Sequence, residues 1–154
     1  MLGTEMPNGE HFYTTSETER DEAISTYGYV SEDIACYVYP RPAVGTSPLY
    51  RMVNHDSSDH FYTTSESERD AAVTEYGYVI EPLAGFIFRA QAEGTVPLFR
   101  LVSDETLDHF YTTSATERDA AVSELSYRVE EDAGFVYAAE QPGTVPLYRL
   151  VREA

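Results

Sequence analysis

Residues 45–93 read GTSPLYRMVNHDSSDHFYTTSESERDAAVTEYGYVIEPLAGFIFRAQAE, and a close copy of this stretch follows at once. Residues 94–142 read GTVPLFRLVSDETLDHFYTTSATERDAAVSELSYRVEEDAGFVYAAEQP, and the two copies are identical at 26 of 49 positions without a gap. A tandem repeat of this length predicts a fold in which one supersecondary unit is used several times.

A third copy is divided between the two ends of the sequence. EHFYTTSETERDEAISTYGYVSEDIACYVY starts at Glu10 but lacks the opening GTxPLYR segment, which appears instead as GTVPLYRLV over residues 143–151. We therefore predict a single domain, 1–154, of three 49-residue repeats: 1–44 completed by 143–154, then 45–93 and 94–142. An open solenoid carries polar capping repeats at its ends, whereas a divided repeat favours a closed ring without free sheet edges.

Each unit carries clear signals for secondary structure. PLYRLV and HFYTT are rich in strand formers and are separated by a six-residue polar loop, so they predict a hairpin. Ser16, Ser65 and Ser114 each stand three residues before a glutamate, a spacing typical of a capping box at the start of a short helix. Gly28 and Gly77 stand where a left-handed C-terminal cap is expected, although the third copy has Ser126 there. Two further short strands, GYVIE and AGFIFRA in the second copy, complete the unit.

This reading predicts a mainly β fold with one short helix per repeat. Four short strands per unit and three units favour a closed pseudo-threefold, β-trefoil-like assembly, because short units close a barrel readily. A three-bladed propeller uses the same number of strands and stays open as the alternative.

Composition narrows the classes of partner. The net charge is -17, with ten arginines and no lysine, and such a field repels nucleic acids and anionic membranes. The lone Cys36 is predicted to be a buried, inert thiol. The first residues show no signal peptide, so we expect a cytoplasmic protein or one secreted by a route not visible here.

The segments PLYRLV, DHFYTTS, ERDAAV and AGFVY together resemble a family of repeats of 45–50 residues with largely unassigned function. Such repeats occur in bacteria and fungi, often beside cell-wall or polysaccharide hydrolases in secreted proteins. The resemblance covers nearly the whole chain and implies an accessory role in binding carbohydrate or cell wall. It supplies no known ligand residues.

The hairpin is the predicted binding site. Period-two alternation in HFYTT sends Phe61 to the core and leaves His60 and Tyr62 on the opposite face, near Asp59 and near Arg51 of the partner strand. Carboxylate, guanidinium and imidazole groups bond sugar hydroxyls, while an aromatic ring covers an apolar sugar face. The predicted ligand-binding residues are Arg51, Asp59, His60, Tyr62; Arg100, Asp108, His109, Tyr111; and Arg149, Glu10, His11, Tyr13.

Several alternatives stay open at this stage. In one alternative these polar groups serve only the fold, with Arg51 paired to Asp59 and the tyrosine hydroxyl bonded to a backbone group. In another, the sites lie in grooves between adjacent units near the Glu-Arg-Asp helices. Three equivalent histidines on a threefold axis would suit zinc, although we predict no metal and no cofactor. We predict no enzyme, since no catalytic motif occurs.

A lectin-like module that binds glycan or cell-wall polysaccharide is the preferred function. The alternative is a protein-binding module or hydrolase inhibitor that acts through a non-repeated loop such as NHDSSD or SDETLD.

Overall fold

The computed structural model describes residues 9–153, which contain ten strands and three helices. Residues 1–8 and 154, which the domain prediction includes, lie outside the described part. The elements in chain order are β1 (Gly9–Thr14), α1 (Glu17–Tyr27), β2 (Val30–Val38), β3 (Thr46–Val53), β4 (His60–Thr63), α2 (Glu66–Tyr76), β5 (Val79–Phe88), β6 (Val96–Ser103), β7 (His109–Thr112), α3 (Ala115–Leu125), β8 (Tyr127–Val129), β9 (Gly134–Val136) and β10 (Val145–Glu153).

The predicted hairpin forms in each copy and becomes the edge of a small sheet. β3 pairs antiparallel with β4, so that Arg51 stands opposite Tyr62, and on its other side β3 pairs with β5. β6 lies in the same way between β7 and the strands β8 and β9. In the divided copy, β10 lies between β1 and β2.

The strand count per copy differs from the prediction. In the first two copies the two predicted C-terminal strands form one continuous strand, β2 or β5, while the third copy keeps them apart as β8 and β9. A bulge interrupts the pairing in β5: Leu49 pairs with Gly85 and Arg51 with Glu81, so three residues of β5 lie opposite Tyr50 alone. The extra residues bend the strand. The third copy has the same spacing, since the backbone N–H groups of Ala133 and Glu130 donate to the carbonyls of Leu98 and Arg100.

The helices begin and end where the sequence predicts. Each of the three has 11 residues, and the serine before it accepts a hydrogen bond from the backbone N–H of the glutamate three residues later. Gly28 and Gly77 end the first two helices in the left-handed conformation, and Ser126 adopts the same conformation with φ 63°. A left-handed C-terminal cap therefore forms even where the third copy lacks glycine.

Both faces of the hairpin are buried, which the prediction did not anticipate. Phe61 packs under α2 with Met52 and Ala72, as expected of a core residue. Tyr62 faces the other way but is only 1% exposed, because that face meets the central cluster contributed by all three copies. The prediction that the hairpin tyrosines stand on an accessible face is wrong. Cys36 lies in the same cluster, and burial raises its pKa to about 12.

Short backbone bridges link the C-terminal strands of different copies. Tyr39 pairs with Phe86, Phe88 with Phe135, and Tyr137 with Tyr37. Within the described residues, the paired strands form one three-stranded and one seven-stranded sheet, and these do not form one closed barrel. The mainly β class with three short helices is confirmed, while trefoil-like or propeller closure stays a prediction.

Candidate functional site

The three predicted tyrosines meet at the centre of the molecule. The hydroxyl of Tyr62 donates to the carbonyl of Tyr13 and accepts from its N–H, each at 2.8 Å. Tyr13 makes the same pair of bonds to Tyr111, and Tyr111 makes them to Tyr62. The rings lie edge to face with centroids 5.3–5.4 Å apart. Because each hydroxyl serves the backbone of another copy, these residues join the copies and are not exposed to a ligand.

The predicted histidines and acids pair between copies. In one pair, Nδ1 of His109 lies 2.6 Å from Oδ2 of Asp59, which also accepts from the Tyr78 hydroxyl. The same three-residue contact recurs twice. The equivalent sets are His11, Asp108 and Tyr127, and His60, Glu10 and Tyr29.

The pKa values of two of these histidines are strongly raised. Burial alone would lower the pKa of His109, but the Asp59 carboxylate and the nearby Glu130 raise it to about 9. His11 is fully buried, which again opposes the charge, yet Asp108 and Glu32 raise its pKa to about 9. Both imidazoles are therefore protonated at neutral pH and form buried ion pairs.

The predicted arginines also serve contacts between copies. The two terminal nitrogens of Arg51 bind the Glu19 carboxylate at 2.9 and 2.8 Å, and Nε binds Glu81 at 2.9 Å. The same arrangement joins Arg100 to Glu68 and Glu130. The helix-start glutamate is thus used by an arginine of another copy. The N–H of the capping Ser16, which a full capping box would give to Glu19, is bound by Thr14.

The structure does not bring the four predicted residues of one hairpin together in an open pocket. Arg51 and Asp59 are not paired with each other, because each binds a residue of a different copy. The remaining predicted site arginine, Arg149, binds Glu117 and lies 3.1 Å from Glu32. The histidines are held by three separate carboxylates, and no group of three or more metal-ligating side chains occurs within residues 9–153.

An open groove instead lies between the second and third copies, and we call it groove A. Its volume is about 810 Å³, and the ring of Phe61 forms its floor with Tyr78, at a centroid distance of 5.9 Å. Tyr76 at the end of α2 is 65% exposed and Leu107 is 53% exposed, and both line the groove. The polar lining residues are Asn54, Asp56, Ser57, Glu68, Glu105, Thr106, His109 and Glu130.

A smaller counterpart, groove B, lies between the first and second copies. Its volume is about 450 Å³, and Phe12 and Tyr29 take the places of Phe61 and Tyr78. Arg152 enters this groove, where it binds Glu10 at 3.0 Å and covers the Tyr29 ring. The two grooves share an aromatic floor, but groove B is smaller and carries the positive charge of Arg152.

Comparison with known families agrees with the internal repeat. The model of a domain of unknown function, DUF5648, matches over residues 4–88 and again over residues 76–154. The chain belongs to this family. Two matches in one DUF5648 chain are consistent with the predicted repeat family of unknown function. No curated protein and no solved structure matches the chain.

Of the residues that line groove A in this DUF5648 chain, the hairpin prediction included only His109, and of those that line groove B it included Glu10 and His60. Tyr76 and Leu107 vary between copies, since the equivalents of Tyr76 are Tyr27 and Leu125. The groove itself corresponds to the alternative location, between units and near the Glu-Arg-Asp helices. The two loops NHDSSD and SDETLD differ in sequence between copies, and both contribute to groove A. This variation was the feature of the sequence that could have indicated the groove.

Proposed function

We propose that this DUF5648 chain is a carbohydrate-binding module that acts through the grooves between its repeats, chiefly groove A. The observation that carries the proposal is the exposed Tyr76 ring above an aromatic floor, beside carboxylate and amide groups. An aromatic ring covers the apolar face of a pyranose, while carboxylates and amides bond its hydroxyls. The volume of about 810 Å³ is in the range of small-ligand sites.

The proposal includes closure of the three repeats into a pseudo-threefold assembly, trefoil-like or with three blades. Two features support it: the reciprocal hydrogen bonds of the three tyrosines, and the three bridges that join each C-terminal strand to another. In such an assembly, grooves recur at the boundaries between copies. Several weak sites, each near millimolar or about -4 kcal/mol, would gain avidity on a repetitive polysaccharide.

The proposal assigns binding without catalysis. Glycoside hydrolysis requires a carboxylic acid whose pKa is raised so that it can protonate the leaving group. In groove A, burial opposes ionisation of Glu68 and Glu130, but Arg100 lowers the pKa of Glu68, and His109 together with Arg100 lowers the pKa of Glu130, so both lie below the usual range. Neither residue is therefore suited to act as the acid.

A protein-binding module, such as a hydrolase inhibitor, is the second candidate. The observation in its favour is that the two non-repeated loops rim groove A and that Leu107 presents an apolar side chain there. Variable loops around an apolar contact are typical of protein recognition.

A glycan array followed by titration calorimetry of the strongest glycan tests the first candidate. We expect Tyr76→Ala to weaken binding about tenfold, because loss of one aromatic contact costs on the order of 1 kcal/mol or more. The melting temperature should stay nearly constant, since the side chain is mostly exposed.

Tyr27→Ala in groove B is the matched variant and should have a smaller effect on the same glycan. No glycan bound by the unmodified protein, or full binding by Tyr76→Ala, would contradict the proposal. A hydrolase captured in place of glycans, with capture lost in a Leu107→Ser variant, would favour the inhibitor.

A further inference from the structure

We propose that groove A selects glycans that carry protonated amines, that is, oligosaccharides of 2-amino sugars with free amino groups. The inference rests on the proposed function and specifies its ligand class. It is carried by the balance of charge in the groove, by the contrast with groove B, and by the charge of the whole chain.

The lining of groove A is strongly acidic. Four carboxylates line it, and His109 is the one cationic side chain among the described residues that do so. The four carboxylates are Asp56, Glu68, Glu105 and Glu130. An anionic glycan would be repelled from such a groove, so uronic acids and sulfated sugars are poor candidates.

Two of these carboxylates are available to a ligand. Glu68 and Glu130 are already bound by Arg100, whose guanidinium contacts both carboxylates. Asp56 and Glu105 are exposed, and within residues 9–153 neither side chain makes an ion pair or a hydrogen bond. They lie on the two loops that rim the groove, where they would meet substituents of a sugar chain placed over Tyr76.

A neutral sugar makes little use of these two charges. A sugar hydroxyl can donate a hydrogen bond to a carboxylate, but this only replaces a bond from water and brings no opposite charge, so the net gain is small. A protonated amine donates the same kind of bond and also brings a positive charge, so donor and acceptor are both ionised and attract each other. The free carboxylates therefore favour an amino sugar over its N-acetylated form.

Groove B is expected to be less selective for cationic sugars. Four carboxylates line it as well, but Arg152 and two histidines lie among them. Arg152 is already bound to Glu10, and its charge would repel an ammonium group. The preference for a cationic sugar should therefore be a property of groove A.

The charge of the whole chain acts in the same direction. A net charge of -17 without a single lysine attracts polycations from a distance and raises their association rate. This general attraction is screened by salt within about 10 Å at 0.1 M. The experiment must therefore separate attraction to the whole molecule from recognition in the groove.

Calorimetry with two matched ligands makes this separation. Hexamers of 2-amino-2-deoxyglucose, fully deacetylated or fully N-acetylated, are titrated into the full chain at about pH 6, where the free amines are largely protonated. We expect the deacetylated hexamer to bind about tenfold more tightly at low salt, and this advantage to shrink at about 0.5 M salt.

The double variant Asp56→Asn/Glu105→Gln should remove most of the advantage and leave binding of the N-acetylated hexamer unchanged. Glu124→Gln/Glu140→Gln is the control, because it makes the same change in net charge at exposed positions that do not line groove A. Equal loss in both double variants would overturn the inference, since the attraction would then belong to the whole molecule.

The remaining outcomes distinguish the inference from the proposed function. If the N-acetylated hexamer binds as well as the deacetylated one and Tyr76→Ala weakens both, the inference fails and the carbohydrate-binding function stands. If neither hexamer binds and the glycan array is also blank, both fail.

Discussion

The hairpin strands and the loops that connect them have opposite roles. HFYTT is identical in all three copies, and its side chains are consumed by contacts inside the molecule, as the bonds of Tyr62 and His109 show. The loops NHDSSD and SDETLD share only their last residue, yet they rim the open groove. Identity between internal copies thus reports how the copies are joined, and under the proposed function the variation between them marks the surface that would meet a ligand.

Deletion of residues 143–154, which include a strand of the repeated hairpin, should reduce the stability of the protein more than any other change considered. It removes β10, which lies between β1 and β2 and contributes the buried Leu147 and Leu150. We expect loss of cooperative unfolding or aggregation, because two strands lose their partner. Circular dichroism during heating, with light scattering, measures the result.

Replacement of the loop residues 104–106 by glycine and serine is the control for this deletion. These positions are largely exposed, so the melting temperature should fall by only a few degrees. A truncated chain that melts cooperatively at the original temperature would contradict the role given to β10.

Removal of a single hydroxyl from the central cluster should lower the free energy of unfolding by an intermediate amount. Tyr62→Phe leaves the N–H and the carbonyl of Tyr13 without their buried partner, at a cost of about 2–4 kcal/mol in the free energy of unfolding. Tyr76→Phe removes a hydroxyl from an exposed ring and should change the free energy by less than about 0.5 kcal/mol. Denaturation by urea compares the two, and equal effects would show that burial of the cluster is not what matters.

The pH dependence of stability should give the most gradual effect. The pKa values of His11 and His109 are raised to about 9 in the folded state from 6.5, so their contribution is complete below about pH 6.5 and is lost as the pH rises through 9. The loss is on the order of 3 kcal/mol for each histidine.

Urea denaturation between about pH 6 and pH 9.5 follows this loss. His109→Gln should flatten part of the dependence, whereas His55→Gln in the exposed loop should leave it unchanged. A constant free energy of unfolding across this range in the unmodified protein would show that the buried ion pairs contribute nothing.

The sequence alone was sufficient for the local structure. Hairpins, serine caps and helix ends depend on residues within a few positions of each other, and they form as predicted. The candidate site was not predictable in the same way. Alternation correctly separates Phe61 from Tyr62, but it does not reveal that a second core covers the tyrosine face. That information lies in contacts between residues 49 and 98 positions apart.

The partners of Arg51 and Asp59 show the same limit of prediction from sequence. Arg51 and Asp59 are close in sequence and of opposite charge, so a pairing within the hairpin was a reasonable hypothesis. Each instead binds a residue of another copy, Glu19 and His109, because the helix starts and hairpins of neighbouring copies lie side by side. Only a three-dimensional arrangement of the copies decides between local and distant partners.

The position of β10 has a consequence for the order in which the molecule is made. Gly9 pairs with Glu153, and Phe12 with Leu150, so β1 has its sheet partner near the other end of the chain. During synthesis the ribosome releases β1 and β2 long before residues 145–153 exist, while the copies at 45–93 and 94–142 emerge with all their strands. The first sheet must therefore be the last to assemble, and until then its strands are what a chaperone would need to shield.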